Sequence, residues 1–180
     1  KVLPQFSSGE YHGLAVPINL PANHSIADLY NQLWPGETQR KLSVTSSMFS
    51  FVTNGVLLLG VLLCSFLWRN KSSQRLLQGV MICIMLIFPV YCYEHHLALL
   101  VLPLVILWNE LKRVEYPLGQ TLLFCAIYVL AAWPLFMLRT VQKWIPSMFW
   151  LLQESKFFAI IACALFSLFF AYKHHRLERI

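Results

Sequence analysis

The sequence predicts an all-α fold, a polytopic bundle of transmembrane helices, and its composition and charge pattern support this. Apolar residues make up 58% of the 180 residues, and only 12% are charged. A typical soluble domain has about 25% charged residues. The apolar residues form long runs separated by short basic clusters, as in a membrane protein with cytoplasmic loops. The net charge of +6 therefore indicates such loops, and we expect no nucleic-acid partner.

Residues 1–43 are polar and rich in proline, and we expect them to form an external loop on the periplasmic or luminal side. Within this loop, four apolar residues recur at the spacing of one helix face: Ile26, Leu29, Tyr30 and Leu33. Asn23 is a candidate N-cap for this helix, and Pro35-Gly36 ends the pattern. The prediction is a short amphipathic helix over 25–34, lying on the membrane surface.

Residues 44–180 are predicted to form the transmembrane domain. A helix rises about 1.5 Å per residue, so about 20 apolar residues cross a bilayer core of ~30 Å. The sequence suggests five membrane segments: 44–68, 76–92, 96–108, 118–138 and 149–172. Aromatic residues near several segment ends fit an interfacial belt.

The second and third segments are predicted to form one short broken hairpin over 76–108. This stretch is long for one crossing and short for two complete ones. Basic residues flank both of its ends: Arg69, Lys71 and Arg75 before it, Lys112 and Arg113 after it. Because basic loops mark the cytoplasmic side, the chain should enter the membrane and return. Glu94-His95-His96 would then lie at a tip recessed below the far surface.

Ionisable side chains inside apolar sequence are the strongest functional signal of the chain. Glu94, His95 and His96 are costly to bury in hydrocarbon, and such residues usually face a wet cavity. Imidazole can donate a hydrogen bond to an anion and titrates near neutral pH, which favours an anion or proton role. Neighbouring helical residues point about 100° apart, so we expect no metal site. A purely structural role stays open. Arg139 is predicted on the same side and would either help to bind an anion or only snorkel.

Two segments resemble a known enzyme family. The stretch from Phe88-Pro89-Val90 through Glu94-His95-His96 to Leu102-Pro103-Leu104 resembles the Pro, His-His, Leu-Pro-Leu signature of family 87 GT-C glycosyltransferases. Upstream, Asn23-His24-Ser25-Ile26 resembles the Asn-Gln-Ser-Leu segment of that family, with His24 in place of glutamine. The resemblance covers residues 20–110, and most of the matching positions between the motifs are apolar.

The resemblance implies an integral-membrane hexosyltransferase that needs no cofactor. It would transfer a mannose-like sugar from a polyprenyl-phosphate donor to a glycan or glycolipid acceptor, on the periplasmic side of a bacterial plasma membrane. The catalytic acidic residue of the family lies in its first external loop. This chain shows no counterpart, so we expect a C-terminal portion whose catalytic residue is unknown. The site residues implied are His95 and His96 for the donor phosphate, with Glu94, Asn23, Ser25 and Arg139 at the cavity rim.

Two other function classes remain open from the sequence. In a proton- or ion-coupled transporter, Glu94 and the two histidines would lie on the ion path. Many transporters carry broken helices in two repeated halves, whereas this sequence has one broken hairpin. In a non-catalytic membrane scaffold, the polar residues would only join helices.

Overall fold

The computed structural model describes residues 23–36, 42–90, 92, 94–132 and 154–177. The predicted external loop before residue 23 and residues 133–153, which include Arg139, lie outside the described residues. The helices are α1 Ile26–Leu33, α2 Val44–Leu67, α3 Lys71–Ile87, a 3₁₀ helix Glu94–Leu100, α4 Val101–Arg113, α5 Leu118–Ala132 and α6 Ser155–Leu177. No strand occurs in these ranges, so the all-α class is confirmed for them.

Two helices are long and apolar enough to cross a membrane, fewer than the five segments predicted. They are α2, with 24 residues, and α6, with 23 residues. Helix α3 has 17 residues, α4 has 13 and α5 has 15 in the described part. At about 1.5 Å per residue these three are shorter than a ~30 Å core. The described residues therefore contain two helices of spanning length, and α3 and α4 are short, as predicted for the arms of the broken hairpin.

Helix α3 is the centre of the bundle. It begins at Lys71 because the Asn70 side chain caps it by accepting a hydrogen bond of 2.7 Å from the Ser73 amide. It packs most extensively on α6, and also contacts α2 and α4. Its buried residues are Ser73, Leu76, Leu77, Gly79, Val80, Cys83, Ile84, Leu86 and Ile87. The second half of α3, residues 80–87, is apolar and mostly buried, whereas Lys71, Arg75 and Gln78 in its first half are exposed.

The chain from Lys71 to Arg113 runs out and back as two antiparallel arms. Gly79 of α3 faces Pro103 of α4, and Ser72 lies near Arg113 at the far end. Pro89 has no backbone N–H, so α3 ends just before it. The tip, where the two arms connect, therefore falls between Ile87 and Glu94. Glu94-His95-His96 was predicted to lie at the tip. It instead forms the first turn of the 3₁₀ helix, at the start of the returning arm.

The two arms touch most closely where α3 has a glycine. A Cβ atom added at Gly79 would lie 3.3 Å from Pro103 Cβ and 3.6 Å from Pro103 Cα. We expect Gly79→Leu to force the arms apart and to lower the free energy of unfolding by about 3 kcal/mol, at the upper end for overpacking. Gly60→Leu on α2 is the matched control, because nothing lies within 4 Å of its added Cβ. Thermal unfolding in detergent compares the two, and equal melting temperatures would contradict the close approach.

Helix α1 is capped by Ser25, not by Asn23 as predicted. The Ser25 hydroxyl accepts a hydrogen bond of 3.0 Å from the Asp28 amide. The predicted helix over 25–34 is observed as Ile26–Leu33, but its buried face differs from the expected one. That face carries Asp28 and Asn31 together with Ile26 and Ala27, while Leu33 is 57% exposed. The polar side of α1 is thus turned towards the bundle.

Two serines join the end of α1 to the start of α2. The Ser43 hydroxyl donates to the Trp34 carbonyl at 2.8 Å, and it also caps α2 by accepting from the Ser46 amide at 3.1 Å. The Ser46 hydroxyl shares its hydrogen between the carbonyls of Trp34 and Tyr30, at 2.7 Å and 3.0 Å. The Tyr30 carbonyl also accepts from the Trp34 amide. Carbonyls at a helix C-terminus need such partners, and these serines fix α1 across the end of α2.

Helix α2 is polar inside and apolar outside. Its buried positions include Ser46, Ser50 and Asn54, spaced four residues apart on one face. Its outward positions are large and apolar, with Phe51 80% exposed and Val56 65% exposed. Soluble monomers rarely expose a continuous apolar surface of this kind. The outer face of α2 is therefore suited to an apolar environment.

At the opposite end of the bundle, a buried carboxyl group connects several helices. Glu110 of α4 has a side chain only 3% exposed, and it pairs with His174 of α6 at 2.7 Å and with Arg113 at 3.2 Å. Arg113 also donates to the Ser72 hydroxyl at 3.2 Å. A buried charge needs partners of this kind. This network links α3, α4 and α6 at the end where basic residues gather.

Candidate functional site

The segment before α1 is bound to the hairpin tip through its backbone. The Asn23 side chain donates to the Val90 carbonyl at 3.0 Å and accepts from the Cys92 amide at 2.9 Å. The Ser25 hydroxyl donates to the same Val90 carbonyl at 2.8 Å. The His24 amide donates to the Cys92 carbonyl at 2.9 Å. Four hydrogen bonds thus join two segments that are 65 or more residues apart in the chain.

These contacts are buried. Asn23, His24, Ser25 and Cys92 are each 0% exposed. Val90 and Cys92 lie between the end of α3 and the start of the 3₁₀ helix, so their backbone groups belong to neither helix. The amide and hydroxyl side chains supply what the backbone lacks, as buried polar groups require. The position of the first turn of the 3₁₀ helix, which follows directly, therefore depends on this segment.

The predicted site residues fall into three groups. Asn23 and Ser25 lie against the tip immediately before Glu94-His95-His96, although they are buried within the bundle. The backbone of Glu94 and His95 is part of the 3₁₀ helix, and their side chains lie outside the described part of the structure. His96 is half-buried and has a contacting partner. Roles in binding a donor phosphate or in forming a cavity rim stay predictions.

Beside the 23–25 segment lies a buried pair of carboxyl groups that were not predicted as site residues. The Gln32 amide donates to Asp28 Oδ2 at 3.0 Å and to Glu154 Oε1 at 2.7 Å. Asp28 and Glu154 are both 0% exposed. Their other oxygens, Asp28 Oδ1 and Glu154 Oε2, have no hydrogen-bond partner within the described ranges. Gln32 thus bridges α1 to the start of α6.

Burial makes ionisation of this pair unfavourable. Burial, and after it the charge of Glu154, together raise the pKa of Asp28 from 3.8 to about 8, with the Gln32 hydrogen bond acting in the opposite direction. Burial also raises the pKa of Glu154, again with Gln32 acting in the opposite direction. Two carboxyl groups near each other cannot both ionise without cost. At neutral pH, Asp28 therefore holds a proton. Both groups lie outside the two long apolar helices.

One of these residues carried a sequence signal and the other did not. Asp28, Asn31 and Gln32 lie at i, i+3 and i+4, so they share one helix face, and a polar stripe on a short helix marks a polar contact. Glu154 lies 122 residues from Gln32, and no local pattern relates the two. Lys156, which is 5% exposed and has a contacting partner, adds a buried cation to the first turn of α6.

The arrangement offers polar chemistry at one end of an otherwise apolar bundle. Within the described ranges, no three His, Cys, Asp or Glu side chains group closely enough to hold a metal ion. The groups present are hydrogen-bond donors, imidazoles and a proton-holding carboxyl pair. Such groups can bind an anion or exchange a proton. The same end carries the start of α2, the hairpin tip and the start of α6.

Comparison with protein-family models, curated proteins and solved structures gives no match to this chain.

Proposed function

We propose that the chain is part of an integral-membrane glycosyltransferase. It would take a hexose from a polyprenyl-phosphate sugar at the non-cytoplasmic face and pass it to a glycan or glycolipid acceptor. The observation that carries this proposal is the contact of Asn23 and Ser25 with Val90 and Cys92. The two stretches that resemble family 87 GT-C glycosyltransferases are bound to each other, with His95 and His96 following directly.

The polarity of α2 supports the membrane setting. Its inner face holds Ser46, Ser50 and Asn54, while its outer face is apolar along its length. This pattern suits a helix whose outer face contacts lipid, because hydrocarbon accepts apolar side chains and rejects polar ones. Helix α6 is the second apolar helix of sufficient length. We therefore propose an integral membrane protein, in a bacterial plasma membrane with its site facing the periplasm.

The proposed chemistry fits the polar end of the helical bundle, where the hairpin tip lies. A lipid-linked sugar keeps its tail in the bilayer and its phosphate at the interface. Imidazole groups of His95 and His96 would donate hydrogen bonds to the phosphate oxygens and stabilise the charge that grows on the leaving phosphate. Donors positioned in advance are effective because they need no reorganisation during reaction. The acidic residue that accepts the proton of the acceptor hydroxyl is not assigned.

Transfer activity of the full-length protein tests this proposal. We expect His95→Ala and His96→Ala each to lower kcat by about 100-fold, the usual effect of removing one such donor, with unchanged expression and thermal stability. His175→Ala is the matched control, because His175 stacks on Trp68 at the other end of the bundle. Unchanged transfer in both variants would refute the site. If the histidine variants lose thermal stability and the wild type binds no donor lipid, the protein is instead a scaffold.

A proton-coupled transporter is the second candidate, favoured by the Asp28–Glu154 pair. A buried carboxyl that holds a proton at neutral pH can load and release it during a transport cycle. Proton flux into liposomes containing the protein, driven by a candidate solute gradient, would support this class. Sugar transfer without such flux would favour the enzyme.

A further inference from the structure

We propose that Asp28, Gln32 and Glu154 form a proton-dependent clasp that holds α1, and with it the 23–25 segment, against the start of α6. These three are then positioning residues. Asp28 is linked to the hairpin tip through Ser25, which accepts from the Asp28 amide and donates to the Val90 carbonyl. The clasp sets how firmly the tip and the following 3₁₀ helix are held, whatever ligand the site binds.

The geometry gives Gln32 the central place in the clasp. Its amide nitrogen carries two hydrogens, and it donates to both carboxyl groups, at 3.0 Å and 2.7 Å. Because both carboxyl groups are fully buried, loss of the proton would leave two negative charges beside each other with little water to screen them.

Other titratable groups lie at the same end of the bundle as the clasp. They are His24 before α1, Tyr30 on α1, whose hydroxyl bonds to Thr53 of α2, Cys92 at the tip, His96 on the 3₁₀ helix and Lys156 on α6. The charge of Glu154 raises the pKa of Asp28, so the proton of the pair belongs to Asp28.

The direction of the pH effect follows from where the proton binds. Once α1 is released, Asp28 is solvated and ionises near its ordinary pKa of 3.8, but in the closed clasp it ionises only at about 8. The closed state thus binds more protons than the open state between these values. Raising the pH through this range therefore favours opening, by at most about tenfold per pH unit for one proton. Above about 8 both states have lost the proton, and the dependence levels off.

Hydrogen exchange of the full chain in lipid nanodiscs measures this opening. We follow backbone amides of 26–33 from pH 5 to 9 and correct each protection factor for the intrinsic exchange rate. In the wild type, protection should fall with rising pH and become constant above about pH 8. Asp28→Asn keeps the shape of the protonated side chain and should give protection that changes less with pH, because Glu154, whose pKa burial also raises, is then the remaining carboxyl of the clasp. Glu115→Gln, an exposed carboxyl on the α4–α5 connection, is the control and should behave as the wild type.

Glu154→Gln provides a second variant should Asp28→Asn fold poorly. It removes the charge that raises the pKa of Asp28. The pH above which protection stays constant should therefore be lower than in the wild type. The same pH dependence in the wild type and in both variants would overturn the clasp. In the transfer assay, which rests on the proposed function, Asp28→Asn should also extend activity to higher pH. A protein with no transfer activity but with the predicted exchange pattern would refute the enzyme and keep the clasp.

Discussion

Replacing Asn23 by alanine is expected to lower the free energy of unfolding by about 3 kcal/mol. The substitution removes a donor and an acceptor at once, and it leaves the Cys92 amide buried without its partner. An orphaned buried polar group costs about 1 to 3 kcal/mol, and the lost hydrogen bonds add to that cost. The Val90 carbonyl keeps its bond from Ser25, which limits the loss.

Chemical denaturation in detergent measures this effect. Asn109→Ala is the matched control, since Asn109 is exposed on α4 and alanine suits a helix. We expect the control to change stability by less than about 0.5 kcal/mol. In the Asn23 variant, hydrogen exchange at the Cys92 amide should also become faster. A stable Asn23→Ala protein with slow exchange at that amide would show that the tip keeps its conformation without the Asn23 side chain.

Replacing Val56 by lysine is expected to prevent α2 from crossing the membrane. Val56 is near the middle of the 24-residue helix and is 65% exposed. A lysine at the centre of a spanning helix costs about 3 kcal/mol on insertion, which corresponds to a change of ~100-fold in the ratio of inserted to excluded helix. In a water-soluble bundle the same exposed substitution would have almost no effect.

Val44→Lys is the matched control for this prediction. Val44 is also exposed, at 88%, but it is the first residue of α2, where a lysine can reach the headgroups. A cysteine placed at Gly36 in a cysteine-free background reports the side of the membrane through an impermeant maleimide. We expect labelling to be kept in Val44→Lys and lost in Val56→Lys. Equal labelling of both would refute the lipid-facing assignment of α2.

The sequence predicted the elements that depend on local patterns. The long apolar runs gave α2 and α6, and the spacing of apolar residues gave α1. The predicted second segment was misplaced at both ends. Helix α3 begins at Lys71, not at residue 76, because Asn70 caps it, and it ends at Ile87, before Pro89. Capping and proline effects each act over a few residues, and charge counting does not resolve them.

The candidate site was predicted only in part, because it is built from distant segments. Asn23 and Ser25 are both good capping residues, and only the fold shows that Ser25 caps α1 while Asn23 binds the hairpin tip. The approach of Gln32 to Glu154 depends on how α6 packs, which no local pattern encodes. His95 and His96 were found from their polarity within apolar sequence, and their function stays a prediction.

The central position of α3 has a consequence for synthesis of the protein. Its principal neighbour, α6, is the last helix described, so a ribosome completes α3 long before it makes the helix that covers it. A nascent chain that stops short of Ser155 leaves Ser73 without its bond to the Ala171 carbonyl and Cys83 without its neighbour Cys163. The hairpin can reach its final packing only after translation of α6, and premature termination before Ser155 should yield a product that quality-control proteases remove.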